Sequence, residues 1–321
     1  MKDKRKFLPG VINHCYQNTR DGFLLFYSIC DYLASFTIIC TVARRYRVRV
    51  LSLCLMPDHL HGSFVADYIE ELCGFVGHYT SSVAKENNDT CGHAGPLFNE
   101  PFGSAPKPGG KNGRTNLIYV GNNPVERHLA DKAEHYRWNF LAYAKSDHPF
   151  SLPIVKRKAS GPLKTAVAQV DALRRSNRPI PYKMLKRMFS KLGKKEANQL
   201  VDYIIATYNV IDYKAAAKYF DSHDAMLMAM HSTTGSEYEI DEQFCGRRDD
   251  VYARMTSLLL SSGKYQDIHD ILKLPLAERL KLFNYLFGKT PATRAQILKY
   301  LRIKQAGRKE RIRKGRKANM L

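Results

Sequence analysis

The run RVRVLSLCLMPDHLHGSFV, residues 47–65, limits the fold more than any other stretch of this chain. Residues 47 to 56 are mostly apolar and include the β-branched Val48 and Val50, PDH makes a tight turn, and LHGSFV continues as a second strand. This is a hairpin signal, although Pro-Asp is a less diagnostic turn than Asn-Gly. His59 and His61 stand two positions apart, and strand residues at i and i+2 share a face. Two imidazole nitrogens can therefore meet at one point, which suits a divalent cation, although two unrelated histidines produce the same spacing.

The flanking segments extend the sheet. VINHCYQ, residues 11–17, reads as a strand, and DYLASFTIICTVARR, residues 31–45, as a helix whose start Asp31 can cap. DYIEELCGFVGHYTSSVAKEN reads as a helix with Ile69, Leu72, Phe75 and Val76 on one stripe, and GPLFNEPF as a possible strand. The order predicts an α+β, ferredoxin-like antiparallel sheet with helices on one face, spanning residues 1–150. GSAPKPGGKNGR is expected to be an irregular loop, and Lys107, Lys111 and Arg114 in and after it are expected to contact phosphates. Loop lysines in water are the plainer reading of the same residues.

Beyond residue 150 the pattern becomes helical. SLPIVKRKASGPL is a basic linker opening a helical region, residues 151–262. Within 263–301, LAERLKLFNYLFGKTPATRAQILKYL predicts a helix-turn-helix whose second helix opens on a capping box of Thr293 and Gln296. The last residues, 302–321, form a basic segment expected to be a disordered arm that contacts DNA.

Charge narrows the partners. With 51 Lys and Arg against 30 Asp and Glu the formal net charge is +21, more than solubility needs, which favours nucleic acid over an anionic membrane surface. Seven cysteines without a CxxC pair indicate neither a disulfide framework nor a zinc knuckle. No apolar stretch is long enough to span a bilayer and the basic start lacks a signal-peptide core, so a cytoplasmic protein is expected.

A second motif gives the histidines a context. RTNLIYVGNNPVER, residues 114–127, has a short helical pattern with Tyr119 and Asn123 at i and i+4, on one helix face. A nucleophile and an oxygen ligand could sit together there. Asn123-Pro124-Val125-Glu126 also has the form of an N-cap, a first-turn proline and a capping-box glutamate, so Asn123 can instead open the next helix, or serve both ends with different atoms. Tyr119 can equally be an aromatic packed on the sheet.

MPDHLH followed by YVGNNPV resembles the single-tyrosine HUH transposases, specifically the REP-associated tyrosine transposases and their insertion-sequence relatives, in which MPNHxH precedes a helix bearing YIxxNPV. The resemblance covers about residues 10 to 130. Asp58 stands where that family has Asn, and Gly121 occupies mid-helix, where glycine costs about 1 kcal/mol. The resemblance implies an HUH nuclease domain with His59, His61 and Asn123 as metal ligands and Tyr119 as nucleophile. It implies Mg²⁺ or Mn²⁺ as cofactor, and single-stranded or hairpin DNA as partner. It leaves room for a homodimer, because in some relatives the tyrosine helix serves the partner subunit's site. The implied reaction is strand cleavage and joining through a 5′-phosphotyrosine. The rival readings are a non-catalytic DNA-binding regulator on the same scaffold, and a replication-initiation or relaxase nuclease.

Overall fold

A computed structural model of the protein describes residues 6–99, 102–232 and 248–304. Four strands, β1 (Ile12–Asn18), β2 (Val48–Met56), β3 (His59–Ala66) and β4 (Gly103–Lys107), pair in the order β2-β3-β1-β4, every neighbour antiparallel. Helix α1 (Ile29–Ala43) joins β1 to β2, and α2 (Ile69–Cys91) joins β3 to β4. Each helix thus links two strands with a third inserted between them, which is the ferredoxin-like arrangement. The hairpin forms where the sequence places it, with Met56 opposite His59.

Helices cover both faces of the sheet, where the sequence suggested one. Phe64 stacks edge-on against Phe75 of α2, while its neighbour Ser63 points the other way and donates to Asn116 of a third helix, α3 (Gly109–Glu126). Strand alternation makes this possible, since residues 63 and 64 must face opposite layers.

Most other departures lie between residues 95 and 126. Among the described residues of the expected strand GPLFNEPF, the strand-like pairing is an isolated bridge between Thr19 and Phe98. The expected loop instead forms β4 and the first turns of α3. Pro106 is tolerated because β4 is an edge strand, where a missing N–H breaks no ladder. Gly109, the first residue of α3, takes φ +75°, a conformation open to glycine. Asn123 is not an N-cap: α3 runs unbroken to Glu126 with Pro124 inside its last turn. A proline so near the end removes one i→i−4 bond without stopping the helix. Asp31 is not the cap of α1 either; Ser28 is, and Asp31 sits three residues on as its capping-box partner.

The C-terminal helices pack onto this frame. Helices α4 (Gly161–Arg175), α5 (Tyr182–Phe189) and α6 (Lys194–Tyr208) extend the core beneath α1, where Val170, Leu185, Ile204 and Tyr208 join Phe36 and Ile39. Helices α7 (Tyr213–Ala217) and α8 (His223–Ser232) lie on α3, burying Phe220 and Met230 against Leu117 and Ile118. Helices α9 (Asp250–Ser261), α10 (Ile268–Leu272), α11 (Leu276–Lys289) and α12 (Arg294–Tyr300) enclose Met255, Ile271, Leu286 and Ile297 together with Leu24, Tyr27 and Cys91. The capping box of Thr293 and Gln296 opens α12 as the sequence predicts. Residues 305–321 of the basic segment lie outside the described residues. Among the described residues, no helix is long and apolar enough to cross a membrane.

Candidate functional site

β1, β3 and α3 bring His14, His61, Tyr119 and Asn123 to one point, with His59 alongside. Tyr16 of β1 lies opposite His61 and His14 opposite Ser63, so His14 and His61 are diagonal neighbours on the face that α3 covers. His14 Nε2 is 3.0 Å from His61 Nδ1, and the two rings stack at 5.2 Å. The rings of His59 and His61 meet at right angles with centroids 4.7 Å apart. The Tyr119 ring stands edge-on to both His61, at 5.4 Å, and His14, at 5.6 Å.

Asn123, one turn beyond Tyr119, joins the helix to the strand. Its Nδ2 donates to the Tyr119 hydroxyl at 3.2 Å and lies 3.4 Å from His61 Nε2. His14, His59, His61, Tyr119 and Asn123 are all under 5% exposed, so protein contacts rather than water fix their directions. One chain supplies both motifs: Tyr119 meets the histidines of its own polypeptide.

Several contacts hold α3 in place. Ser52 Oγ donates to Ser63 Oγ, which donates to Asn116 Oδ1, both at 2.7 Å, a buried relay from β2 through β3 to the helix. Asn122 Nδ2 donates to the Met230 carbonyl at 2.8 Å, tying α3 to α8. Gly121 has a packing reason, since a Cβ there would come within 2.7 Å of the Met230 side chain and 3.4 Å of Leu141.

The two β3 histidines each have Nδ1 engaged. His59 Nδ1 donates to Asp58 Oδ1 at 2.6 Å. Burial pushes the Asp58 carboxyl up, but His59, Lys299 and Arg127 outweigh it and hold Asp58 well below the usual carboxylate range. Asp58 is therefore the acceptor, and His59 presents the lone pair of Nε2 on the opposite edge of its ring. When His61 Nδ1 likewise donates to His14, its own lone pair sits on Nε2, beside Asn123.

This donor set fits a small divalent cation. Among the described residues, no group of three or more His, Cys, Asp or Glu side chains gathers as a metal cluster, so any site here relies on two imidazoles and an amide oxygen. Asn123 Oδ1 is buried and accepts no hydrogen bond among the described residues, and a half-turn of the amide would bring it to the side now held by Nδ2. Three donors leave positions for water or a phosphate oxygen, as catalytic sites require.

The cations read from the sequence stand apart from the cluster. Lys107 ends the edge strand opposite Ile12, and Lys111 is in the first turn of α3, eight residues or about 12 Å along the axis from Tyr119. Arg114 lies over the Phe220 ring at 5.1 Å. His14 is the member the sequence reading passed over. Its signal was its place in VINHCYQ, where strand alternation sets it on the face opposite Cys15.

No known family model and no curated protein matches the sequence. A solved structure of a REP-associated tyrosine transposase bound to a REP hairpin is similar to this chain, at 16% identity and a TM-score of 0.37, over 43% of this chain and 81% of that one.

Proposed function

We propose that this protein cleaves and rejoins single-stranded DNA through a covalent phosphotyrosine, with divalent-metal assistance. The observation that carries the reading is the contact of Asn123 with both the Tyr119 hydroxyl and His61, which joins a nucleophile to a ligand pair. A phenol alone, with a pKa of about 10 in water, is a weak nucleophile at neutral pH, so its neighbours must favour loss of its proton.

In this reaction the Tyr119 oxygen attacks the scissile phosphorus and the bond to the 3′ oxygen breaks. A 5′-phosphotyrosine forms, and the proton lost by the phenol is balanced by the one taken up by the departing 3′ oxygen, which becomes a free 3′-OH. One phosphodiester replaces another, so the bond is stored for joining. His59, His61 and Asn123 would hold Mg²⁺ or Mn²⁺, which supplies Lewis-acid stabilisation of a non-bridging phosphate oxygen. Imidazole ligation favours Mn²⁺ in affinity. Before the amide turns to offer its oxygen, Asn123 holds the phenol by the hydrogen bond from Nδ2, and His14 and Asp58 orient the two imidazoles. The net charge of +21 favours a polyanionic substrate. Phosphate contacts by Lys107, Lys111 and Arg114 belong to this proposal.

The test incubates the protein with labelled single-stranded DNA carrying a hairpin and Mn²⁺, then looks for a covalent adduct on a denaturing gel. Wild type is expected to give an adduct that Tyr119→Phe abolishes. An adduct that persists in excess chelator would remove the metal role, and no adduct on any hairpin substrate would leave the non-catalytic regulator.

A further inference from the structure

We propose that residues 248–304 are a working part of the candidate site: Lys299 is a positioning residue that fixes His59 through Asp58, and Asp249 fixes the end of the tyrosine helix through Arg127. The inference rests on reading the histidine cluster as a metal-assisted DNA site. It goes further in giving the C-terminal helices a role in holding both motifs.

Both grips are visible. Asp58 accepts from His59 Nδ1 with one oxygen and pairs with Lys299 Nζ through the other, and the Asp58 and Lys299 side chains are only 12% and 9% exposed. A carboxylate held at both oxygens cannot turn, so the His59 ring has one direction. On the other motif, Asp249 N–H donates to the Arg127 carbonyl at 3.1 Å, and Arg127 Nη1 lies 3.5 Å from Asp249 Oδ2, both side chains buried. Arg127 directly follows α3, four residues after Asn123. The grips are joined to each other, because Gln296 Nε2 of α12 donates to the Arg248 carbonyl at 2.6 Å.

Lys299 reaches Asp58 because α12 is anchored in the fold. Ile297, Tyr300 and Leu301 are buried with Leu24, Tyr27 and Cys91. The Tyr27 hydroxyl donates to the Tyr300 carbonyl at 2.9 Å, and Arg302 Nη2 donates to the Leu24 carbonyl and to Asn87 Oδ1, each at 3.0 Å. Buried ion pairs return little net stability after desolvation, so two of them converging on the two motifs fit positioning better than bracing. Asp58 is also where the sequence departs from the resembling family. An Asn there would not need a lysine to balance its charge, whereas the carboxylate does.

The experiment follows the His59 ring in metal-free, full-length protein labelled with ¹⁵N-histidine, comparing wild type, Lys299→Met, Lys299→Arg, Asp58→Asn and the Lys299→Met/Asp58→Asn double variant. Wild type is expected to give one sharp pattern with the proton on Nδ1. Lys299→Met should shift or broaden the His59 signals and leave those of His269 in place, which marks intact folding, and Lys299→Arg should restore them. In the Asp58→Asn background Lys299→Met should add nothing. A His59 pattern indifferent to Lys299→Met, or moved equally in both backgrounds, would overturn the inference. Mn²⁺ titration of the same proteins reads the underlying function separately, with about tenfold weaker binding expected for Lys299→Met. If His59 responds to Lys299 but wild type binds no Mn²⁺, positioning stands and the metal reading falls; Mn²⁺ binding with an indifferent His59 does the reverse.

Discussion

His14 Nε2 stands 3.0 Å from His61 Nδ1, so the first strand of the sheet orients a histidine on the third. An imidazole that binds metal through Nε2 depends on such a partner to hold its tautomer and ring plane, and losing the partner typically costs 10- to 100-fold in affinity. His14→Ala is therefore expected to weaken Mn²⁺ binding by at least about tenfold. Calorimetric titration beside a melting curve separates this from unfolding; unchanged affinity in a folded variant would make His14 a packing residue.

Tyr119→Phe should remove chemistry without removing the fold. The hydroxyl accepts a hydrogen bond from Asn123, and a neutral bond of this kind contributes about 1 kcal/mol. Urea denaturation should find a loss of roughly that size. A loss several times larger would mean that the hydroxyl is mainly a structural group.

Asn116 secures the helix that carries Tyr119. Asn116→Ala leaves the Ser63 hydroxyl without its buried acceptor, at a cost of about 1–3 kcal/mol. The relay ends on the helix bearing Tyr119 and Asn123, so adduct formation should fall even at temperatures where the variant is fully folded. Equal adduct yield at matched folded fraction would show that the relay only supports stability.

Outside the cluster, a buried charge network makes stability depend on pH. His269 Nδ1 is 2.8 Å from Asp267 and Nε2 is 3.0 Å from Asp31, all three side chains buried. Burial alone would lower its pKa, but Asp31 and Asp267 outweigh it and push it up to about 12. A histidine raised above its unfolded value of about 6.5 contributes fully below that pH, and the contribution is lost as pH rises toward the folded value. The free energy of unfolding should thus decline from pH 6.5 to 9.5 in wild type and decline less in His269→Gln. His269→Ala, which strands two buried carboxylates, should cost about 3–5 kcal/mol at pH 7. Parallel pH profiles for wild type and His269→Gln would refute the assignment.

Local chemistry made much of the sheet legible. The 47–65 hairpin declares itself by two apolar runs broken at PDH, VINHCYQ by its strand-forming composition and the helix beginning at Ile69 by its apolar stripe, because each carries its signal within its own residues. The 103–126 segment does not. Gly103–Lys107 is a strand because β1 offers it an open edge, and Gly109–Glu126 is one helix because it is buried on more than one side, Leu117 and Ile118 in one core cluster and Tyr119 and Val120 in another, which outweighs the glycines and Pro124. No local signal registers a partner that lies 90 residues away.

The sequence by itself determined the chemical types and the spacings: two imidazoles alternating on a strand, and a tyrosine and an asparagine one helical turn apart. Those are fixed by covalent geometry within a single element. Only the tertiary structure decided that α3 lies on the same side of the sheet as the histidines, that His14 backs His61, and that Lys299 and Asp249 come from the far end of the chain to hold Asp58 and Arg127. Such choices depend on which faces bury against each other and which charges must be matched once water is excluded, and neither is written in the spacing of neighbouring residues.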